Sequence, residues 1–222
     1  IHGHDPKDPT SVNQPFSFPF TGNWRDLRIG YVESAFDIEQ PNQANDNETL
    51  RVLRELGANL VPIELPKYPY GALVVILAVE GAAAFAELTE NNTDDLLTWQ
   101  DDEAWPNIFR RSRMIPAVEY VQANRIRTLA MQDMARLMAN IDVYVAPSFA
   151  GGNLTLTNLT GHPAVVVPNG ANEGNPSNCS ITFTGQLYGE SALLAVAEAY
   201  QEATGWHKLV PEMLYDPKKD EG

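Results

Sequence analysis

The sequence lacks the features that are typical of disulfide-stabilised proteins, membrane-spanning proteins and nucleic-acid-binding proteins. Its 222 residues include one cysteine, Cys179, so no internal disulfide can form. The longest apolar run, residues 72–79, ends at Glu80 and is much shorter than the roughly 20 apolar residues of a transmembrane helix. Only 15 residues are Lys or Arg, against 29 Asp and Glu, and the net charge is -14. Because nucleic-acid binding depends on clustered basic residues, we expect no nucleic-acid partner. Because the longest apolar run is too short, we also expect no membrane span.

Groups that could perform catalysis are also scarce. The chain has four histidines and eight serines, and none of the serines lies in a G-x-S-x-G nucleophile elbow. A triad of Ser148, His162 and Asp142 can be drawn on paper. Asp142, however, opens the same predicted strand that ends near Ser148, which separates the two by about 20 Å at ~3.3 Å per residue. We therefore expect no catalytic residue in this chain.

Metal-binding patterns are equally weak. The segment His2-Gly-His4-Asp5 resembles a metal clip, but structural zinc needs four ligands and Cys179 is remote in sequence. The acidic stretch 91–103 lacks the glycine-centred spacing of a calcium loop, so we interpret it as a solvated loop or helix start. We expect no metal and no organic cofactor.

The composition is that of an ordinary globular protein, with 44% hydrophobic and 20% charged residues. Residues 1–26 contain four prolines and are predicted to be a loop-rich lead-in. A predicted strand (27–32), helix (46–57) and second strand (59–65) then form the strand–helix–strand unit of a parallel sheet. Further strands are predicted at 142–146, 164–167 and 180–184, and further helices at 71–90, 116–140 and 190–204.

These elements predict an α/β fold in which a mixed central β-sheet is covered by helices on both faces. We expect a single domain over residues 1–222. The alanine-rich helix 71–90 is apolar enough to be buried, and helix 116–140 carries one continuous apolar face. The residues of that face recur every three or four positions: Val118, Val121, Ile126, Ala130, Met134, Leu137 and Ile141.

Several short motifs occur in a characteristic order along the chain. They are a G-x-D-P-x-D-P turn at 3–9, I-G-Y at 29–31, L-G-A at 56–58, Y-x-x-A-x-x-x-R at 120–127, D-V-x-x-x-P at 142–147, N-L-x-G-x-P-A at 158–164, G-x-x-x-x-E at 185–190 and T-x-W-H at 204–207. In this order the motifs resemble the amidase signature family. This family of serine amidohydrolases includes glutamyl-tRNA amidotransferase A subunits and bacterial amidases.

The resemblance implies a mechanism. Family members hydrolyse carbon–nitrogen bonds with a serine nucleophile, a second serine in a cis peptide linkage and a lysine base, all upstream of the G-x-D-P-x-D-P turn. That turn opens this sequence at Gly3, and the chain contains no G-G-S-S-G-G-S-like segment. We therefore interpret the chain as the carboxyl-terminal portion of an amidase whose catalytic triad is absent from it. The first residues contain no initiating methionine, which also favours a chain cut from something longer.

The resemblance also predicts residues that wall the substrate pocket. Ser148 and Phe149 follow the predicted strand 142–146. Asn158 and Gly161 belong to a corner near the family's cleft, where Gly161 is expected to allow close backbone approach. A purely structural role for this corner is left open.

Two aromatic residues complete the predicted pocket. Trp105 and Phe109 precede the long helix, and aromatic residues in such a rim shape an apolar pocket. A core position for Trp105 is the alternative.

Two functions fit these observations. The first is the carboxyl-terminal portion of an amidase that acts on a small amide, with the amino-terminal half of the amidase as its partner. The second is a non-catalytic binding or scaffold module, a split subunit or a remnant, whose sheet edge is covered by a partner. The sequence leaves open which amide is used, any role in tRNA amidation, and homo-oligomer formation. It also leaves the compartment open, with the cytoplasm as the default and export as the alternative.

Overall fold

The computed structural model describes residues 3–171 and 179–209. The chain divides into two compact units, one combining Ile1–Leu65 with Arg136–Gly222 and the other formed by Pro66–Ala135. The first unit contains the sheet and the second is helical. The single domain expected over residues 1–222 stays a prediction.

The first unit is built on a five-stranded mixed sheet. Its strands are β1 (Ile29–Val32), β2 (Leu60–Ile63), β3 (Val143–Pro147), β4 (Ala164–Pro168) and β5 (Ser180–Gly185), in the order β2-β1-β3-β5-β4. β1 pairs in parallel with β2 and β3, whereas β5 runs antiparallel to β3 and β4. The mixed α/β sheet predicted from the sequence is confirmed.

Two helices of the first unit pack on one face of the sheet. They are α2 (Gln43–Glu55) and α9 (Glu190–Thr204), and a short helix, α1 (Glu33–Phe36), follows β1. Apolar residues spaced three or four apart on α9 meet alternate residues of the strands. The resulting core contains Ile29, Phe36, Leu50, Leu53, Ala58, Val143, Val145, Val167, Ile181, Phe183, Leu193, Val196, Ala197 and Tyr200.

The opposite face of the sheet carries the other residues of β3. Because side chains alternate along a strand, Tyr144 points away from the core formed by Val143 and Val145. Its buried hydroxyl donates a 2.7 Å hydrogen bond to Asn153 Oδ1 on α8 (Asn153–Thr160). The helix therefore covers part of this face.

An ion pair joins the beginnings of β1 and β3. The Arg28 guanidinium donates to both carboxylate oxygens of Asp142, at 2.8 and 3.1 Å, and the Arg28 backbone N–H donates to Oδ2 at 2.8 Å. These bonds hold the pKa of Asp142 below its ordinary value, since the charged carboxylate is the better acceptor. Asp142 therefore links the start of β3 to the start of β1.

The second unit contains shorter helices than predicted. They are α3 (Tyr70–Leu73), α4 (Val75–Ala84), α5 (Ala86–Glu90) and α6 (Trp105–Ser112), followed by α7 (Ala117–Met138), which runs past the boundary of the unit. The prediction of a single helix at 71–90 is wrong: the helix is interrupted at Val74, where the backbone stays helical, and it breaks at Phe85, where φ is -106° and ψ is 26°. The interruption falls at two consecutive β-branched valines, which are weak helix formers.

The burial expected for this segment is also wrong. Leu73, Ile76 and Ala82 are buried, but Leu77 on the same helix is 57% exposed. The apolar face of α7 likewise holds only in part, since Ala130 and Met134 are buried while Val118 and Val121 are exposed. The apolar composition of these segments does not predict which face of each helix packs against other residues. None of the helices in the described part of the chain is long and apolar enough to cross a membrane.

The acidic stretch 91–103 is not uniformly solvated. Asp94 lies in a 3-10 helix, Thr93–Leu96, and is almost fully buried. Its Oδ2 atom lies 2.7 Å from the Arg110 guanidinium on α6, which also reaches Asp95 at 3.0 Å. The prediction of a solvated loop is therefore wrong for Asp94, because a basic partner 16 residues later compensates its charge.

Candidate functional site

A polar cavity lies at the carboxyl end of β3 in the first unit. The register pairs Pro147 of β3 with Ile181, and Pro168 of β4 with Ser180, so the ends of β3 and β4 meet the start of β5. Ligands of open α/β sheets bind at the carboxyl ends of their parallel strands. The cavity has a volume of about 180 Å³ and is lined by Gln40, Pro41, Asn42, Asp46, Pro147, Ser148, Phe149 and Ser180.

Ser148 occupies this cavity among other hydroxyl groups. Its Oγ atom accepts hydrogen bonds from Ser180 Oγ at 2.9 Å and from Thr182 Oγ1 at 3.0 Å. Both donors come from β5, so the antiparallel pairing positions them beside the end of β3. The geometry suits a hydroxyl that binds a polar group of a ligand.

Asp46 gives the cavity a buried carboxylate. Asn169 Nδ2 donates to its Oδ1 atom at 2.8 Å, and Gln40 Nε2 donates to its Oδ2 atom at 2.7 Å. Burial raises the pKa of Asp46, and the bonds from Asn169 and Gln40 oppose that rise. The sequence interpretation missed this residue. The available signal was its spacing, because Asp46 shares the buried face of α2 with Thr49, Leu50 and Leu53.

The four pocket residues predicted in this unit lie in different environments. Ser148 and Phe149 both line the cavity, and Phe149 is 88% exposed. Asn158 lies on the exposed side of α8, where its Nδ2 atom donates to the Leu154 carbonyl at 2.8 Å. Gly161 ends that helix. A substrate-binding role for these residues stays a prediction.

The reason given for Gly161 needs correction. Among the residues that the structure describes, a Cβ atom at this position would meet only Leu187 Cδ2, at 3.8 Å, so no close approach by them requires a glycine. The backbone φ angle is instead +80°, in the left-handed region that favours glycine at the end of a helix.

The two aromatic residues predicted for the pocket lie in the second unit. Trp105 is partly exposed and lines an apolar groove of about 500 Å³ together with Val74, Leu77 and Ile108. Phe109 is buried beneath it, with ring centroids 5.4 Å from both Trp105 and Phe85. Trp105 is thus supported by a buried ring, and the predicted role of both residues in substrate binding remains a prediction.

The side chain of His162 has a hydrogen-bond partner of its own. Its Nδ1 atom lies 2.8 Å from Thr160 Oγ1, which donates its only proton to the Leu156 carbonyl at 2.9 Å. The Nδ1 atom must therefore carry a hydrogen and donate it to Thr160. Burial lowers the pKa of His162, because the charged imidazolium loses solvation. His162 is consequently neutral at pH 7.

Acidification below pH 7 is expected to destabilise the protein through His162. The unfolded chain binds a proton near the ordinary histidine pKa of about 6.5, whereas the folded chain resists it, so stability falls as the pH falls. The slope reaches at most about 1.4 kcal/mol per pH unit for one group. Urea unfolding of the wild type and of His162→Gln at pH 7.5 and 5.5 measures this effect. The difference between the two proteins isolates His162, and an equal loss of stability in both would contradict the prediction.

Comparison with known proteins identifies the family of this chain. A family model described as Amidase matches residues 1–172. The A subunit of glutamyl-tRNA(Gln) amidotransferase from Roseiflexus castenholzii is 30% identical, over 97% of this chain and 53% of the relative. The corresponding protein of Chloroflexus aggregans is 28% identical, over 96% of this chain and 52% of the relative. The chain thus spans about half the length of the curated relatives it matches.

Solved structures agree on the fold. A bacterial aryl acylamidase of the amidase signature enzyme family matches with a TM-score of 0.76 and 19% identity, over 94% of this chain and 50% of that chain. A 6-aminohexanoate cyclic dimer hydrolase matches with a TM-score of 0.69 and 18% identity, over 96% of this chain and 53% of that chain. The α/β fold described above is therefore shared with these two proteins. Because the family model covers most of the chain, we conclude that this protein belongs to the amidase family, as the resemblance of its motifs predicted.

Proposed function

We propose that the protein acts in the hydrolysis of carbon–nitrogen bonds in small amides, and that this chain forms the carboxyl-terminal portion of the enzyme. The match of residues 1–172 to the Amidase family is the observation that carries the proposal. The polar cavity at the carboxyl end of β3 supports it, because Ser148 and Asp46 offer the hydrogen-bonding groups that an amide requires.

In the proposed mechanism the bond-breaking groups lie in polypeptide outside this sequence. A serine there attacks the amide carbon with help from a second serine and a lysine, ammonia or an amine leaves, and water hydrolyses the acyl-enzyme. Within the described residues, the partners of Ser148 support this division of roles. They are hydroxyl donors, and neither of them is a base that could activate a nucleophile.

The residues of this chain are proposed to bind and orient the substrate. Ser148, Phe149, Asn158 and Gly161 would contribute from the first unit. In the second unit, taken by itself, Trp105 would offer aromatic surface in its groove, and the buried ring of Phe109 would support it. Aromatic surface would suit amides that carry an aryl or alkyl group. The net charge of -14 favours such small substrates over direct contact with RNA.

Release of ammonia from simple amides tests the proposal. Residues 1–222 are compared with the complete product of the gene, which includes any residues encoded ahead of Ile1. We expect turnover only by the complete product, because the activated serine is proposed to lie in the upstream part. Adding a separately expressed upstream half to residues 1–222 should restore turnover. Hydrolysis by residues 1–222 alone above the buffer rate would contradict the proposed division of roles, and inactivity of the complete product on every amide would contradict the proposed function.

A further inference from the structure

A second pocket in the first unit is not used by the proposed reaction. It has a volume of about 470 Å³, within the range of small-molecule sites. It lies between the lead-in and the segment that precedes α9. Its walls are formed by Gly3, Thr10, Ser11, Val12, Gln14, Pro15, Phe16, Tyr188 and Glu190.

Tyr188 has a strained backbone at the edge of this pocket. Its φ angle is +60°, a left-handed conformation that bulky side chains rarely adopt. It is the third residue of a turn closed by the 2.8 Å bond from the Gly189 N–H to the Gln186 carbonyl. A left-handed third residue is typical of a type II turn and is usually Gly or Asn. The Tyr188 residue is 56% exposed, so burial of the ring does not offset this strain.

Glu190 contributes a carboxylate to the same pocket. It is partly buried in the first turn of α9, and among residues 3–171 and 179–209 its side chain has neither an ion pair nor a hydrogen bond. A carboxylate at the start of a helix stabilises the helix dipole, which is reason enough for an acidic residue there. That role does not explain why a strained tyrosine lines the same pocket two residues earlier.

We propose that this pocket binds an organic ammonium cation, a primary amine attached to an apolar body. The Glu190 carboxylate accepts the ammonium hydrogens, the ring of Tyr188 faces the cation, and Val12 contacts the apolar body. Strained backbone conformations cluster at ligand-binding sites, and a binding role would explain why Tyr188 keeps one. The net charge of -14 also favours encounter with a cation. The proposal concerns binding alone and goes beyond the proposed amide hydrolysis.

Calorimetric titration of the full-length protein with benzylamine tests this proposal, with benzyl alcohol as the neutral analogue of the same shape. We expect saturable binding of benzylamine and at least about tenfold weaker binding of benzyl alcohol, because the alcohol lacks the charge-assisted hydrogen bond. Glu190→Gln should weaken benzylamine binding by a similar factor. Glu198→Gln removes the same charge from an exposed position farther along α9, and should bind like the wild type.

Variants of Tyr188 distinguish the contribution of the aromatic ring to binding from the effect of backbone strain on stability. Tyr188→Gly should lose affinity and at the same time raise the melting temperature, since glycine adopts the left-handed backbone without strain. Tyr188→Phe should keep the affinity, because the ring face remains. Circular dichroism confirms that each variant is folded. Equal binding of the amine and the alcohol, wild-type affinity in Glu190→Gln, or no saturable binding of benzylamine would each overturn the proposal.

Discussion

A fluorophosphonate probe, which reacts with activated serines, is expected to leave every serine between Ile1 and Gly222 unlabelled in the full-length protein. It should instead label a serine encoded upstream. A serine reacts only when a neighbouring base removes its proton. Loss of this activation in a serine hydrolase reduces the rate by roughly a million-fold, so the difference between labelled and unlabelled positions should be unambiguous.

The hydrogen bonds of the described serines explain the expectation. Ser148 accepts from two hydroxyl donors on β5. Ser11 Oγ lies 3.1 Å from His4 Nδ1, but the shortest bond that it donates goes to the Asp8 carbonyl, at 2.8 Å. Ser34 donates to the Glu64 carboxylate at 2.7 Å, and a carboxylate is a far weaker base than the amine of a lysine. In these three arrangements the hydrogen bonds to described residues lead to no lysine amine, and Ser11 is the one of the three with an imidazole nearby.

Mass spectrometry of the labelled peptides decides the outcome. Heat-denatured protein serves as the control, because labelling that persists after unfolding does not depend on an active site. A phosphonylated peptide from residues 1–222, present only in the folded protein, would contradict the expectation. Ser148 is the position at which such a result would matter most, since it lines the cavity.

Replacement of Phe183 by alanine is expected to remove a large part of the stability of the first unit. Phe183 is fully buried on β5, and its ring centroid lies 5.8 Å from that of Tyr200 on α9. Truncation of a buried phenylalanine costs about 3–5 kcal/mol, because apolar contacts are lost and a cavity remains. For a protein of this size the loss corresponds to a melting temperature lower by roughly 10 °C.

Phe149→Ala provides a matched control for this prediction. It removes the same side chain from an exposed position at the end of β3. We expect its effect on the free energy of unfolding to stay within about 0.5 kcal/mol. Guanidinium unfolding followed by circular dichroism measures both variants. Similar losses in the two proteins would mean that the core does not depend on the contact between β5 and α9.

Sequence patterns predicted the sheet of the first unit well. The strands β1, β2, β3, β4 and β5 all fall within or beside their predicted segments. The first four are short runs of mainly apolar residues, whereas in β5 the apolar Ile181 and Phe183 alternate with polar residues. Both patterns are local signals of a strand. The terminal helix was equally clear, because Gly205 adopts the left-handed cap that its position predicts.

The helical unit was predicted less well. Its apolar segment 71–90 has no periodicity that marks an inner face, so the interruption at Val74, the break at Phe85 and the exposure of Leu77 could not be anticipated. The burial of Asp94 depends on Arg110, a partner that lies beside it only after folding. Local patterns do not encode such pairs.

The candidate site was only partly foreseen. Ser148 and Phe149 follow a recognisable strand, so their position at its carboxyl end could be predicted, and both line the cavity. From the local sequence pattern, Asp46 is predicted only to begin a helix. Asp46 contacts Asn169, which lies 123 positions later in the sequence. No short-range motif can predict a contact over that separation.

The pairing of β1 with β3 has a consequence for synthesis of the protein. Ile29 lies opposite Val143, so one edge of β1 has no sheet partner until 114 further residues have been made. At translation rates of about 5–20 residues per second, that edge stays open for roughly ten seconds. An open strand edge can pair with another nascent chain, so we expect molecular chaperones to raise the yield of native protein during expression.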